Sequence, residues 1–264
     1  MLYTFYDTET SGLERGSDVW SFSYMLSDER LNVKRAETLY LWKEGVTQWS
    51  EEASQINGLT REFLRQHEAE YETNLKKMYI VLSYADLIGY NAGWVGSDGI
   101  IHGFDYAMCT NFLGRNGYPI PIPRSHTDVM KLYMNMHHGQ RRKLVQVFKE
   151  YDIDPMLASA MSNIYFHEDG GAHNSSYDVC MTALIYSKMI LAGDEVQASN
   201  KVDMSVSMEE DETQYLLYLG DGILMLRITD GNGDSRDISL DEFKKENASM
   251  CAVILKNPEK YMEV

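Results

Sequence analysis

Residues 3–13, YTFYDTETSGL, constrain the chain more than any other stretch. Aromatic and β-branched residues make the segment a strand, and it runs directly into Asp7 and Glu9. On an extended strand residues i and i+2 point the same way, so two carboxylates face one point at the end of a buried strand. Alone they repel each other, and they need a cation, a proton or a strong donor. Hard divalent cations such as Mg²⁺ take oxygen ligands. A bare D-x-E is most often a solvated turn, so the pair gains meaning only from what else the chain supplies.

The chain has 264 residues, of which 44% are hydrophobic, enough for a real core. No apolar run approaches the roughly 20 residues of a membrane span, and no basic region followed by an apolar stretch marks a signal peptide. Cys109, Cys180 and Cys251 form no CxxC pair or metal spacing, which predicts reduced thiols in a cytoplasmic protein. The net charge is −16, of which −7 falls on residues 201–264 and −9 on residues 1–200. General attraction to a polyanion requires a basic surface. Any nucleic acid must therefore be held locally, by metal ions, backbone amides or a small basic patch. Arg141, Arg142 and Lys143 form the one dense basic cluster, which is also how an ordinary solvated helix face looks.

The pattern predicts three strands first (LYTFYD, DVWSFSYML, RAETLYLWKE), joined as an antiparallel meander. SEEASQINGLTREFLRQ reads as helix from a Ser50 cap, broken at Asn57-Gly58 and restarted from Thr60. Helical spacing in YETNLKKMYIVLSYA, the short strand DLIGYNA, the helix FDYAMCTNFLGRNG and the strand start SHTDVMKLYM follow. QRRKLVQVFKEYDI and NSSYDVCMTALIYSKMILAG read as helices, the latter closed by Gly193. Strands and then strands alternating with helices predict an α/β mixed sheet flanked by helices. Domain boundaries are expected at 1–195, an acidic linker at 196–213, and a small α+β appendage at 214–264, with tight Gly-Asp and Asn-Gly turns and the apolar segment MCAVILK.

Two further stretches carry chemistry. In IGYNAGWVGSDGIIHGFDYAM a buried strand ends at Tyr90-Asn91, and Phe104-Asp105 opens a helix, where an aspartate is also an ordinary N-cap. In GGAHNSSYDVCMTALIY, Asp178 lies on a helix. His173 lies five positions earlier, about 500° of helical rotation away, so it belongs in the loop before the helix cap. The paired His137 and His138 of NMHHG read as a loop, since adjacent residues rarely ligate one ion, and FHEDGG reads as a flexible lead-in to His173. The 16 methionines read as core filler.

Taken together, DTETSGL, GYNA…GFD and AHNSSYD, in that order, resemble the DEDD exonuclease superfamily in its histidine-bearing branch, the fold family of the DNA polymerase III epsilon proofreading subunit. INGLT, and HTDVMKLY ahead of Lys143 and Leu144, fit as lesser pieces. GYN…FD…NFLGRNGY is also similar to bacterial exonuclease I. The resemblance covers residues 1 to about 193. It departs from the family where AGWVGSDGIIHG separates Asn91 from Phe104, an insertion of roughly ten residues. Asp98 lies inside that insertion, and Asp105 is the better match because Phe104 precedes it and a helical pattern follows.

The resemblance implies a ribonuclease H-like mixed five-stranded sheet and a metal-dependent 3′→5′ exonuclease using two Mg²⁺ or Mn²⁺ ions. It implies that Asp7, Glu9 and Asp178 hold the first ion, that Asp7 bridges to the second, and that Asp105 acts on the metals through water. His173 would be the general base, since an imidazole has an ordinary pKa of about 6.5. Glu9 would accept from a free 3′-hydroxyl, and the amides of Thr10, Ser11 and Gly12 would form a shelf for the terminal nucleotide. Leu13 would pack on the last base, with Asn91 and Trp94 lining the groove. The expected substrate is a nucleic acid 3′ end, single-stranded DNA favoured over RNA, with release of nucleoside 5′-monophosphates in replication or repair. The alternatives are a 3′→5′ exoribonuclease, a docking subunit recruited to a polymerase or other replication protein through the appendage, and an internally cutting nuclease of the ribonuclease H class. No membrane partner is expected.

Overall fold

A computed structural model describes residues 2–95, 101–168, 173–191, 214–220, 223–229 and 234–247. Asp98, Gly170, Gly171, Gly193, Cys251, the side chain of Trp94, the stretch 196–213 and the segment 250–256 lie outside the described residues. The chain divides into two compact units, Met1–Val196 and Gln197–Val264.

In the first unit β1 (Tyr3–Thr10), β2 (Val19–Ser27) and β3 (Val33–Tyr40) form the expected antiparallel meander. Helices α1 (Glu51–Asn57), α2 (Arg61–Gln66) and α3 (Tyr71–Tyr84) lead to β4 (Asp86–Gly89), which pairs parallel to β1. A short ribbon, β5 (Trp94–Val95) with β6 (Ile101–His102), precedes α4 (Asp105–Arg115). β7 (Ser125–Asp128) pairs parallel to β4, and α5 (Val129–Met136), α6 (Leu144–Glu150), α7 (Pro155–Met161), a π-helical turn over Ser162–Phe166 and α8 (Ser175–Leu191) complete the unit. The strand order is β3-β2-β1-β4-β7, a mixed five-stranded sheet as predicted.

Period-two alternation sends neighbouring residues to opposite faces of this sheet. Phe5, Met25 and Ile88 pack with Val129, Phe148 and Ile185 under α5, α6 and α8. Tyr6, Tyr24 and Leu87 pack with Leu82 and Phe112 under α3 and α4. Asp7 and Glu9 therefore share the face of Phe5, toward α8, whereas Thr8 shares the face of Tyr6, toward α4.

Local signals set the helix ends. The Ser50 and Thr60 hydroxyls accept from the N–H groups of Ala53 and Phe63, and Gly58 closes α1 at φ 73°, a left-handed conformation that glycine adopts without steric cost. Two elements differ from expectation. α6 begins at Leu144 rather than near Gln140, because Lys143 is extended at ψ 153°. α7 and the π-helical turn were not foreseen, since Met156, Leu157 and Ile164 point outward and break the apolar period.

The second unit contains β8 (Gln214–Gly220), β9 (Ile223–Thr229) and β10 (Ser235–Ser239), an antiparallel sheet in the order β10-β9-β8, and α9 (Leu240–Glu246). Arg227 lies directly opposite Asp237 and pairs with it at 2.8 Å. No described helix is long and apolar enough to cross a membrane.

Candidate active site and metal centre

β1 delivers Asp7 and Glu9, and β2 makes room for what meets them. Opposite Asp7 and Glu9 in the ladder stand Ser23 and Ser21. Both hydroxyls bond the Ser175 hydroxyl, at 2.7 Å from Ser23 and 3.0 Å from Ser21. Two small polar residues thus dock the first turn of α8 against the end of the sheet. Asn174 caps that turn: its Oδ1 accepts from the N–H groups of Ser176 and Tyr177, and its carbonyl accepts from the Asp178 N–H at 3.0 Å. One turn into α8, Asp178 then meets β1. Single carboxylate oxygens of Asp7, Glu9 and Asp178 all lie within 4.8 Å of one another.

Asp105 comes from the other side of the sheet. It is the first residue of α4, 5% exposed, and its Oδ1 accepts from the Thr8 hydroxyl at 2.5 Å. Its charge reaches the cluster nonetheless. Burial, and then the charges of Asp105, Asp178 and Glu9, hold the Asp7 carboxyl well above the usual carboxylate range. Burial, with Asp178 and Asp105 behind it, pushes Glu9 up to about 9. Burial likewise lifts Asp105 to about 7 against the Thr8 hydrogen bond, and Asp178 to about 7 against a hydrogen bond from the His173 backbone N–H.

His173 touches the site through that backbone group, while its side chain is exposed. It sits at φ 67°, a left-handed conformation costing a non-glycine residue on the order of 1–3 kcal/mol, and such outliers collect at functional sites.

The remaining predicted residues divide. Ser11 turns inward: its N–H donates to the Asp18 carbonyl and its hydroxyl accepts from the Asp18 N–H, both at 2.8 Å. Ser11 therefore builds the turn, and its amide is not free to cradle a ligand. Thr10 pairs with Val19 across a register shift, and its hydroxyl donates to the Gly12 carbonyl at 2.7 Å. Leu13 stands out from this turn, 85% exposed. Asn91 adopts φ 57°, and its Oδ1 accepts from Arg141 at 3.1 Å, which brings the basic cluster to the strand end that precedes Asp105.

Sequence reasoning missed Thr8, Ser21, Ser23 and Glu168. Glu168 accepts from the Tyr40 and Ser176 hydroxyls, both at 2.8 Å, so its part of FHEDGG is anchored to β3 and α8. With Asn57 and Leu59, from the INGLT stretch, it lines a cleft that also includes Glu9.

The donor set fits hard divalent ions. Carboxylate oxygens of Asp7, Glu9 and Asp178 converge, Asp105 is buried on the α4 side, and among the described residues none of the four has a Lys, Arg or His ion-pair partner. Buried like charges without a counter-ion are costly, and all-oxygen ligand sets suit Mg²⁺ and Mn²⁺.

No protein-family profile and no curated protein matches the chain. Solved structures do. A full-length 3′-exonuclease aligns with TM-score 0.53 and 16% identity over 85% of this chain and 66% of that chain. Exonuclease I of E. coli with a dA16 oligonucleotide aligns with TM-score 0.52 and 18% identity over 72% and 41%. The nuclease domain of 3′hExo, a DEDDh family member bound to rAMP, aligns with TM-score 0.51 and 17% identity over 76% and 97%. The chain thus spans less than two thirds of the first two. Together these likenesses show the fold alone: the ribonuclease H-like mixed sheet flanked by helices that these structures share.

Proposed function

We propose that the first unit is a two-metal 3′→5′ exonuclease of the histidine-bearing DEDD type, with single-stranded DNA favoured over RNA. The observation that carries this reading is the carboxylate geometry: oxygens of Asp7, Glu9 and Asp178 within 4.8 Å of one another, with Asp105 buried beside them. Asp7, Glu9 and Asp178 would hold one ion and Asp7 would bridge to the second, with Asp105 acting on the ions through water. When bound, two divalent ions supply a hydroxide-like nucleophile near neutral pH and neutralise charge on the phosphoryl group and the leaving oxygen.

The chain's own groups do the rest. Glu9, beside the cleft, accepts from the free 3′-hydroxyl of the terminal nucleotide and so selects chain ends. The exposed Leu13 packs against the last base. The His173 imidazole takes the proton of the attacking water. The water oxygen bonds to phosphorus, the P–O3′ bond of the penultimate nucleotide breaks, and that oxygen is protonated from solvent. The products are a nucleoside 5′-monophosphate and a chain one residue shorter with a new 3′-hydroxyl.

Incubation of 5′-labelled DNA and RNA oligomers with Mg²⁺ tests the reading. A ladder shortening from the 3′ end supports it, with faster decay of single-stranded DNA. Internal cuts only, or no cleavage of any substrate, would overturn it.

Arg141 supports local capture of substrate by an acidic chain. Its guanidinium bonds the neutral Asn91 side chain at 3.1 Å, leaving its charge for phosphate. Arg141→Ala is expected to weaken binding several-fold for every oligomer sequence and to flatten the log K against log[salt] slope by about 0.7. Fluorescence anisotropy across a salt series checks it, and an unchanged slope would remove Arg141 from the interface.

A further inference from the structure

Asp128 ends β7 and caps α5, and it is 3% exposed. The cap uses little of it. Its Oδ1 accepts from the Lys131 N–H and also from the Asn91 N–H, each at 3.1 Å, and its Oδ2 accepts from the Gly93 N–H at 3.0 Å. One buried carboxylate thus fixes both ends of the turn over residues 91–93, in which Asn91 is left-handed at φ 57°. Two carbonyls of that turn face the start of α4. The Asn91 carbonyl accepts from the Phe104 N–H and the Ala92 carbonyl from the Tyr106 N–H, both at 3.0 Å. These are the two residues that flank Asp105. The packing is close as well: a Cβ on Gly103, at φ 139°, would come within 2.2 Å of the Gly93 Cα, and one on Gly89 within 2.3 Å of the Ala92 Cβ.

We infer that Asp128 is a positioning residue for Asp105: by clamping the 91–93 turn it holds the start of α4, and through it the carboxylate that serves the second ion. The inference rests on the two-ion reading above. It explains how a chain with a long insertion between Asn91 and Phe104 still presents Asp105 to β1. The ribbon can vary in length because the turn before it and the helix after it are tied together directly, at residues 91–93 and 104–106. The same logic governs outer-shell partners of metal ligands generally, whose loss typically weakens metal binding or activity by about 10–100-fold.

Asp128→Asn separates the roles. Its one carbonyl oxygen can still serve Lys131 and Asn91, so the α5 cap survives, but its NH₂ now faces the Gly93 N–H, donor against donor. Three readouts on the full chain apply: Mn²⁺ titration by calorimetry, amide exchange at Phe104 and Tyr106, and steady-state cleavage of an oligomer. We expect faster exchange at both amides, the tighter Mn²⁺ site within about twofold of wild type, and the weaker site loosened roughly 10–100-fold. kcat should fall by a similar factor with KM within about twofold, and high Mn²⁺ should recover much of the rate.

Asp128→Ser, which keeps a capping hydroxyl but cannot reach the turn, should behave alike and serves if the asparagine variant fails to fold. Asp154→Ala, which removes the cap of α7, should leave both Mn²⁺ sites unchanged. A wild-type chain that binds fewer than two ions overturns the two-ion reading. A wild type with two sites, and variants whose weaker site and amide exchange match it, overturn the positioning role alone. Equal loosening of both sites, or an Asp154→Ala variant that reproduces the effect, also overturns it.

Discussion

Asp7→Asn abolishes cleavage while making the metal-free protein more stable. The activity loss should be about 10³-fold or more in kcat, the scale on which one preorganised electrostatic contact to a transition state acts. Asp7 is the right residue for so large an effect because it sits on the central strand β1 and the charges of Asp105, Asp178 and Glu9 all act on it. Any ion held by the cluster must contact it or sit beside it. Asparagine keeps the shape of the side chain and the strand pairing opposite Ser23, so lost activity cannot be blamed on a broken sheet. It also removes a buried carboxyl whose proton binding is held well above the ordinary range, a cost that folding carries at pH 8, where the unfolded side chain is ionised. Thermal unfolding without metal at pH 8 should therefore shift upward by several degrees as activity disappears. A variant that loses activity and stability together would show that Asp7 serves packing rather than ion binding.

The second large effect is a reversal of pH dependence by metal. Each of the four carboxyls binds its proton more tightly folded than unfolded, from ordinary values of 3.8 or 4.5 to about 7 for Asp105 and Asp178, about 9 for Glu9, and well up for Asp7. The native state then carries more protons than the unfolded chain between about pH 4 and pH 9, so its stability falls as pH rises through that window. A shift as large as that of Asp178 corresponds to a loss on the order of 4 kcal/mol. For a domain of this size that lowers Tm by roughly 5–15 °C between pH 5 and pH 8.5 in the absence of metal.

Bound cations favour the ionised carboxylates and oppose this loss. At about 100 times the dissociation constant, Mn²⁺ adds roughly 2.7 kcal/mol, or about 5–10 °C in Tm. The gain should be near zero at pH 5, where protons compete for the ligands. Differential scanning calorimetry at both pH values, with and without Mn²⁺, measures all four numbers. A metal effect as large at pH 5 as at pH 8.5 would point to ions bound elsewhere.

The parts of this molecule that were legible in its sequence are those whose cause is local. Ser50, Gly58 and Thr60 set helix ends within three or four residues of themselves, and the structure places all three as caps. Asp7 and Glu9 share a face because strands alternate, and Asp178 lies on a helix because its surroundings have helical spacing. What escaped was long-range. Thr8 is an unremarkable strand residue until its hydroxyl meets Asp105, 97 positions away. Glu168 reads as part of a flexible lead-in to His173 until its carboxylate meets the Tyr40 hydroxyl, 128 positions away. Asp128 reads only as part of the SHTDVMKLYM strand, and neither its cap on α5 nor its hold on Asn91, 37 positions earlier, is visible there. Ser11 shows the opposite failure: a resemblance offers its amide to substrate, whereas the turn to Asp18 consumes it. Polar side chains commit to partners that only the fold selects.

The central claim is that one carboxylate group, assembled from β1, α4 and α8, holds two divalent ions at a nucleic acid 3′ end. Anomalous diffraction from crystals grown with Mn²⁺ and a nucleoside 5′-monophosphate tests it most directly. The account predicts two peaks about 3.5–4 Å apart, both in contact with Asp7, one shared with Glu9 and Asp178 and the other on the Asp105 side, with the phosphate between them. A single peak, or ions away from Asp7, would contradict it.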